Sequence, residues 1–306
     1  MERITNFLKT ENYYNGELIN NPCSIGHDNP GYCCFYKDYL ESLTEIEYSV
    51  VIVVNDFDAC LNKKIIQSIF ECTYGNYEIV VIMDNCLQST EEDIKRQIDE
   101  NENSKNGLIK ITCIKTINPS FYVACLNMGF RVSAGKYIIE ITSNIELEQK
   151  DYNRTLTLPF KTENNVVAVS GSGCKRFSSS EDFIGGSNGK IKGYSDNFFY
   201  INECCVRGII LYEREIIRQF GYFNECHYFE EYEEDLMARC SFSNNTICGY
   251  VPVDYIESEN HPPLIANESR KSWIETIKNS KNKTYGFLSS YLQIMYIKKE
   301  LTIINL

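Results

Sequence analysis

From Tyr48 onward the chain alternates short apolar runs with segments of helical spacing, whereas residues 1–48 are rich in Asn, Tyr, Glu and Gly and hold no sustained period. Ser49-Val50-Val51-Ile52-Val53-Val54 is a continuous β-branched run, the pattern of a parallel strand covered on both faces. Leu61, Ile65, Ile66, Ile69 and Phe70 then recur at helical spacing. Tyr77 to Met83 reads as the next buried strand, and Glu91 to Asp99 as an exposed helix opened by Ser89 or Thr90 as N-cap. A strand from Leu108 to Ile114, a helix around Phe121 to Ser133 and a strand from Lys136 to Ile141 continue the alternation. Strand and helix in turn imply right-handed crossovers and a mainly parallel sheet, hence an α/β, Rossmann-like fold.

The second half is less regular. Ser170 to Asn202 is loaded with Gly, Ser and Asn and reads as one long loop, a class of segment that in compact domains is usually functional or mobile. Helices are expected at Glu213 to Phe220, Glu230 to Arg239, Ser269 to Lys278 and Phe287 to Lys298, with a strand at Thr246 to Val251. Phe287, Leu288, Tyr291, Leu292, Met295 and Tyr296 give the last helix a broad apolar face, which packs on the core, pairs two subunits into a homodimer, or touches an apolar acceptor.

Composition narrows the classes. The 306 residues are enough for one large enzyme domain, and 43% hydrophobic with 13% aromatic residues excludes global disorder. A net charge of -12 without a dense Lys/Arg run argues against nucleic acid and an anionic membrane as partners. The 14 cysteines show no C-x-x-C spacing, and the close pairs are the vicinal Cys33-Cys34 and Cys204-Cys205, so zinc is not expected. Cys72 and Cys125 fall in apolar helical patterns, where a reduced thiol acts as a small hydrophobe. The polar start Met1-Glu2-Arg3 has no signal-peptide pattern and no apolar stretch reaches spanning length, so a cytoplasmic protein without a transmembrane segment is the expectation.

Parallel sheets bind ligands beyond the carboxyl ends of their strands. Those ends are Val54-Asn55-Asp56, Asp84-Asn85 and Thr142-Ser143-Asn144-Ile145-Glu146. Singly, each is accounted for by the preference of Asn and Asp for turns. Together they resemble the opening of glycosyltransferase family 2. Asn118-Pro119-Ser120, Ala124, Asn127, Gly129 and Ala134-Gly135-Lys136-Tyr137-Ile138 are similar to that family's third motif. Gly208 to Leu211, Arg214-Glu215, Phe220-Gly221-Tyr222-Phe223-Asn224-Glu225 and the acidic helix Glu230 to Leu236 with Arg239 continue the resemblance, from about Ser49 to Arg239.

The resemblance implies a GT-A fold with an N-terminal extension (1–48), a nucleotide-sugar-binding half (49–150), an acceptor-binding half (151–260) and a C-terminal helical segment (261–306). It implies an inverting transfer from a nucleoside-diphosphate sugar, a UDP-sugar being expected, to a glycan, lipid or protein acceptor. Val54, Asn55, Asp56, Asp84, Asn85, Asn118 and Asn127 would then hold the donor. The family's Asp-x-Asp, which holds Mg²⁺ or Mn²⁺, is replaced here by Thr142-Ser143-Asn144, leaving Asn144, Glu146 and His261 as candidate ligands. Glu233 takes the general-base position in the register that Arg239 sets, with Glu234 and Asp235 as neighbours able to substitute. The plain reading of that helix is a solvated acidic face. Nucleotidyltransferases share the architecture, but Asn55 to Cys60 lacks a Gly-rich basic loop. The remaining rival is a catalytically degenerate GT-A protein acting as a nucleotide- or sugar-binding partner subunit.

Overall fold

The computed structural model of the chain describes residues 32–38, 45–56, 64–101, 107–116, 120, 122–171, 174–175, 183–184, 198–202, 204–205, 207–223, 232–244, 246–257 and 302–305. Its elements in order are β1 (Tyr32–Asp38), β2 (Tyr48–Val54), α1 (Ile65–Cys72), β3 (Tyr77–Met83), α2 (Gln88–Asn101), β4 (Leu108–Thr116), α3 (Tyr122–Val132), β5 (Tyr137–Thr142), β6 (Ile145–Leu147), α4 (Tyr152–Thr162), β7 (Val166–Ser170), β8 (Cys174–Lys175), β9 (Phe183–Ile184), β10 (Phe198–Asn202), β11 (Cys204–Cys205), β12 (Ile209–Glu213), α5 (Arg214–Gln219), α6 (Tyr232–Asn244), β13 (Ile247–Tyr250), β14 (Tyr255–Glu257) and β15 (Thr302–Asn305).

One sheet runs β1-β4-β3-β2-β5-β12-β7-β13-β10-β15. β4, β3, β2 and β5 are parallel neighbours. β12 enters antiparallel between β5 and β7, β13 lies parallel to β7, and β10 and β15 close that side with antiparallel pairings. The result is an α/β fold with a mixed, mostly parallel central sheet. Every residue of β2 and β3 is buried, as continuous β-branched runs require when both faces are covered. On one face Val50, Ile52 and Val54 pack with α1, α2 and α4 through Ile66, Phe70, Ile94 and Leu156. On the other, Val51 and Val53 pack with α3 and α6 through Leu126, Phe130 and Leu236.

Two glycines of the sequence motifs let α3 and the turn into β5 lie close against the sheet. A Cβ on Gly129 would lie 2.5 Å from Val51 Cγ1, and one on Gly135 would lie 2.6 Å from the Ser49 backbone nitrogen. Helix α3 and the turn into β5 can therefore sit against the sheet only with no side chain at these positions.

Several expectations change. Residues 32–38, read as part of an extension, form an edge strand antiparallel to β4. Helix α2 begins at Gln88, so neither Ser89 nor Thr90 is its N-cap. Residues 170–202 are not one loop, because β8, β9 and β10 lie within them. Helix α4 and strand β7 were not anticipated; Pro159 inside α4 disguises its helical pattern. The expected helices at 269–278 and 287–298 lie outside the described residues. Among the described residues no helix is long and apolar enough to cross a membrane. Cys72, Cys125 and Cys240 are buried, and burial pushes the Cys72 thiol up to about 11 and that of Cys240 up to about 12. Thiols so shifted stay protonated near neutrality, in keeping with a packing role.

Candidate functional site

The carboxyl ends of β2, β3 and β4 are tied into one polar edge. Asp56 Oδ1 accepts hydrogen bonds from the Leu87 backbone N–H (2.9 Å) and the Thr90 hydroxyl (2.7 Å), so Asp56, just beyond β2, ties down the start of α2. Asp84 Oδ1 accepts from the Thr116 hydroxyl (2.9 Å) and the Ser120 backbone N–H (2.8 Å), and Thr116 Oγ1 accepts from the Asn85 N–H (2.9 Å). Asn85 is exposed and holds φ 50, a left-handed conformation that Asn tolerates better than most residues. Val54 contributes its carbonyl, which accepts from the Asp84 N–H at 2.8 Å. Asn55 lies exposed at the rim. Asp56, Asp84 and Asn85 are thus brought together, with Thr90, Thr116 and Ser120 as partners that sequence reasoning missed.

Asn127 has another setting. Its amide donates to the Phe223 carbonyl (3.0 Å) and accepts from the Phe223 N–H (3.1 Å) at 1% exposure, which makes it a strut between α3 and the turn after α5. Asn118 and His261 lie outside the described residues.

Strand β5 ends in Thr142, whose N–H donates to the Gly208 carbonyl at 2.9 Å. Ser143 and Asn144 are buried in the turn that follows. Glu146, on β6, faces Lys64 Nζ at 3.7 Å. Among the described residues no three His, Cys, Asp or Glu side chains stand close enough to share a metal ion. Of the three candidate ligands the described residues include Asn144 and Glu146, an amide oxygen and a carboxylate, the donor type that Mg²⁺ takes together with waters and the phosphates of its substrate.

Two carboxylates of the acidic helix, Glu233 and Asp235, are buried and not part of a solvated face. Glu233 is 1% exposed and its Oε1 lies 3.0 Å from Arg207 Nε; Asp235 is 7% exposed and its Oδ2 accepts from Arg239 Nε at 2.9 Å. Arg239 also donates to the carbonyls of Phe220 (2.5 Å) and Tyr222 (2.6 Å). Asp235 is thereby committed to stapling α6 to the turn, while Glu233 stands beside the start of β12. Of Glu234, the backbone alone is described, within α6.

Sequence reasoning also missed Glu140, fully buried on β5. Its Oε1 accepts from the hydroxyls of Tyr122 (2.7 Å) and Tyr232, and its Oε2 from that of Tyr212 (3.0 Å). Burial holds the Glu140 carboxyl above the usual carboxylate range, against the opposing effect of the three phenols and of Arg207. Burial likewise pushes the phenols of Tyr122, Tyr212 and Tyr232 well up, so they remain donors. The visible signal was a single Glu inside the otherwise apolar run Tyr137-Ile138-Ile139-Glu140-Ile141.

No protein-family model matches the chain, and no curated protein matches it. Solved structures do. A mannosyltransferase from Pyrobaculum calidifontis, PcManGT, in complex with GDP-Man and Mn²⁺ is 14% identical, with 95% of this chain and 80% of that one covered and a TM-score of 0.56. Residues 1–349 of S. aureus TarS in complex with UDP are 10% identical over 83% of this chain and 73% of that one, with a TM-score of 0.53. GalNAc-T7 with UDP, GalNAc and Mn²⁺ is 13% identical over 70% of this chain, with a TM-score of 0.52. The chain spans 44% of a longer S. aureus TarS structure and 43% of GalNAc-T7. At these identities the likeness is one of fold: the chain is similar in structure to GT-A glycosyltransferases.

Proposed function

We propose that this chain is an inverting glycosyltransferase of family 2 type, acting in the cytoplasm on a nucleoside-diphosphate sugar and a glycan, lipid or protein acceptor. One observation carries the reading. Going across the sheet, the strand ends put Asp84 just past β3, Asp56 just past β2, Thr142 at the end of β5 and Gly208 just before β12 in a row, and Arg207, next to Gly208, pairs with Glu233. A nucleotide at Asp84 and Asp56 would therefore lie along the same edge as the carboxylate that takes the acceptor proton. That row is where an open α/β sheet binds its ligand.

In the reaction, the acceptor hydroxyl oxygen attacks the anomeric carbon while Glu233 removes its proton. The bond from that carbon to the diphosphate oxygen breaks, and the nucleoside diphosphate leaves with the bonding electrons. Asp56, Asp84 and Asn85 orient the base, and no step is routed through a metal. The burial of Glu233 against Arg207 favours one second reading, a degenerate member that binds nucleotide sugar without turning it over.

The test measures binding of UDP, UDP-GlcNAc and GDP-mannose by ligand-observed NMR, with and without Mn²⁺, and release of nucleotide from the two sugars. The expected outcome is binding of at least one of the three, with turnover lowered about 10²- to 10⁴-fold in Glu233→Gln at unaltered donor affinity. Normal turnover in Glu233→Gln with a dead Asp235→Asn would move the base by two residues. Binding without turnover in the parent chain would favour the degenerate reading.

A further inference from the structure

Position 140 faces the side of the sheet that packs against α3 and α6, among Ile138, Ile210 and Tyr212. A carboxylate buried there is costly unless its oxygens are bonded. Three phenols bond it, each from a different element: Tyr122 opens α3, Tyr212 lies on β12, and Tyr232 opens α6. Tyr212 reaches it because Ile210 is the residue paired with Glu140, which puts Tyr212 on the same face two residues along.

Tyr232 immediately precedes Glu233, so whatever fixes Tyr232 sets the start of the helix from which Glu233 projects. Its ring packs edge-on against Phe223, with centroids 5.0 Å apart and planes at 88°, and Asn127 clamps the Phe223 backbone. Arg207 meets the same cluster from β12's side, with its guanidinium 5.9 Å from the Tyr232 ring and its Nε on Glu233. A carboxylate that needed only satisfaction would not require the first residue of α6.

We infer that Glu140 is a positioning residue: with Tyr122, Tyr212 and Tyr232 it fixes the first turn of α6, and so the direction in which Glu233 presents its carboxylate beside Arg207. The inference rests on the transferase reading for what Glu233 does. The plain alternative is a satisfied buried group that serves the fold alone.

The experiment uses the full chain with Tyr232→Phe and Glu140→Gln. Tyr232→Phe keeps the ring and changes no charge, so a displaced Glu233 in it reports geometry and not a lost field. The Glu233 carboxyl is followed by ¹³C NMR across pH, assigned by its disappearance in Glu233→Gln; the other groups facing the cluster are Tyr122, Tyr212, Arg207 and the Cys205 thiol. UDP affinity and the kcat and KM for UDP release from UDP-GlcNAc, with water as acceptor, are measured alongside.

The expected result is a shifted Glu233 titration in both variants, UDP affinity within about twofold of the parent, and kcat lowered up to about 100-fold with KM little changed. A Glu233 titration identical to the parent's in Tyr232→Phe, with a lower melting temperature as the sole effect, would overturn the inference. If Glu140→Gln does not fold, Tyr232→Phe decides alone. If the parent chain releases no nucleotide, the transferase reading fails by itself, and the Glu233 titration still decides whether Glu140 positions that carboxylate.

Discussion

At Asp84 one carboxylate oxygen already works inside the protein, holding Thr116 and the Ser120 N–H. Removing the side chain therefore mixes two effects. Asp84→Asn keeps an acceptor for these donors and removes the charge, whereas Asp84→Ala also leaves the Ser120 N–H without it, at a cost of about 1–3 kcal/mol. The expected outcome is an Asn variant that melts with the parent but binds UDP more weakly, and an Ala variant weakened in both. Parent-like UDP affinity in the Asn variant would remove Asp84 from the site. Asp56, Asp84 and Asn85 were legible because strand ends can be read from where β-branched runs stop. Thr90, Thr116 and Glu140 were not, since their partners lie 34, 32 and up to 92 residues away and meet only after the crossovers form.

Among the elements, α6 shows most clearly what a sequence pattern leaves open. Its run of carboxylates has the composition of a solvated face, and nothing local says that Glu233 and Asp235 will be buried against Arg207 and Arg239. Arg239 sits one helical turn from Asp235, but two of its bonds go to carbonyls in the preceding turn, 19 and 17 residues back. The planar guanidinium serves three acceptors at once, which an ammonium on a shorter reach does not reproduce. Arg239→Lys should therefore destabilise the chain by about 1–3 kcal/mol in urea unfolding. It should also raise hydrogen exchange at the Tyr222 and Phe223 amides, while UDP affinity stays within experimental error. An unchanged unfolding midpoint would show that the staple contributes little. Elements built on continuous apolar strands, β2, β3, β4 and β5, were legible to within a few residues for the opposite reason: burial on both faces is itself a local pattern.

On the scale of the molecule, the parallel half was legible and the insertion of β12 between β5 and β7 was not, because antiparallel entry depends on pairings between residues far apart in the chain. That arrangement brings Glu140 under Tyr212 and gives folding stability a pH dependence with two opposed parts. Glu91 accepts charged hydrogen bonds from Lys115 (2.7 Å) and Lys95 (2.6 Å), which hold its carboxyl below the usual range. A group lowered in the folded state adds stability that is present above the unfolded glutamate value of about 4.3 and is lost as pH falls through the folded value. Glu140 is raised by burial, and so is the half-buried Glu213. A group raised in the folded state adds stability that is present below about 4.3 and is lost as pH rises through the folded value, because the unfolded chain ionises first. Urea unfolding of the parent, Glu91→Gln and Glu140→Gln across pH 3 to 8 separates the two. Relative to the parent, Glu91→Gln should lose least at the acid end, and Glu140→Gln should fare best at the neutral end. The lost phenol bonds give Glu140→Gln a constant offset, so the slope of the difference with pH is what counts, and a difference that stays flat across the range would mean that Glu140 ionises no later in the folded protein than in the unfolded chain.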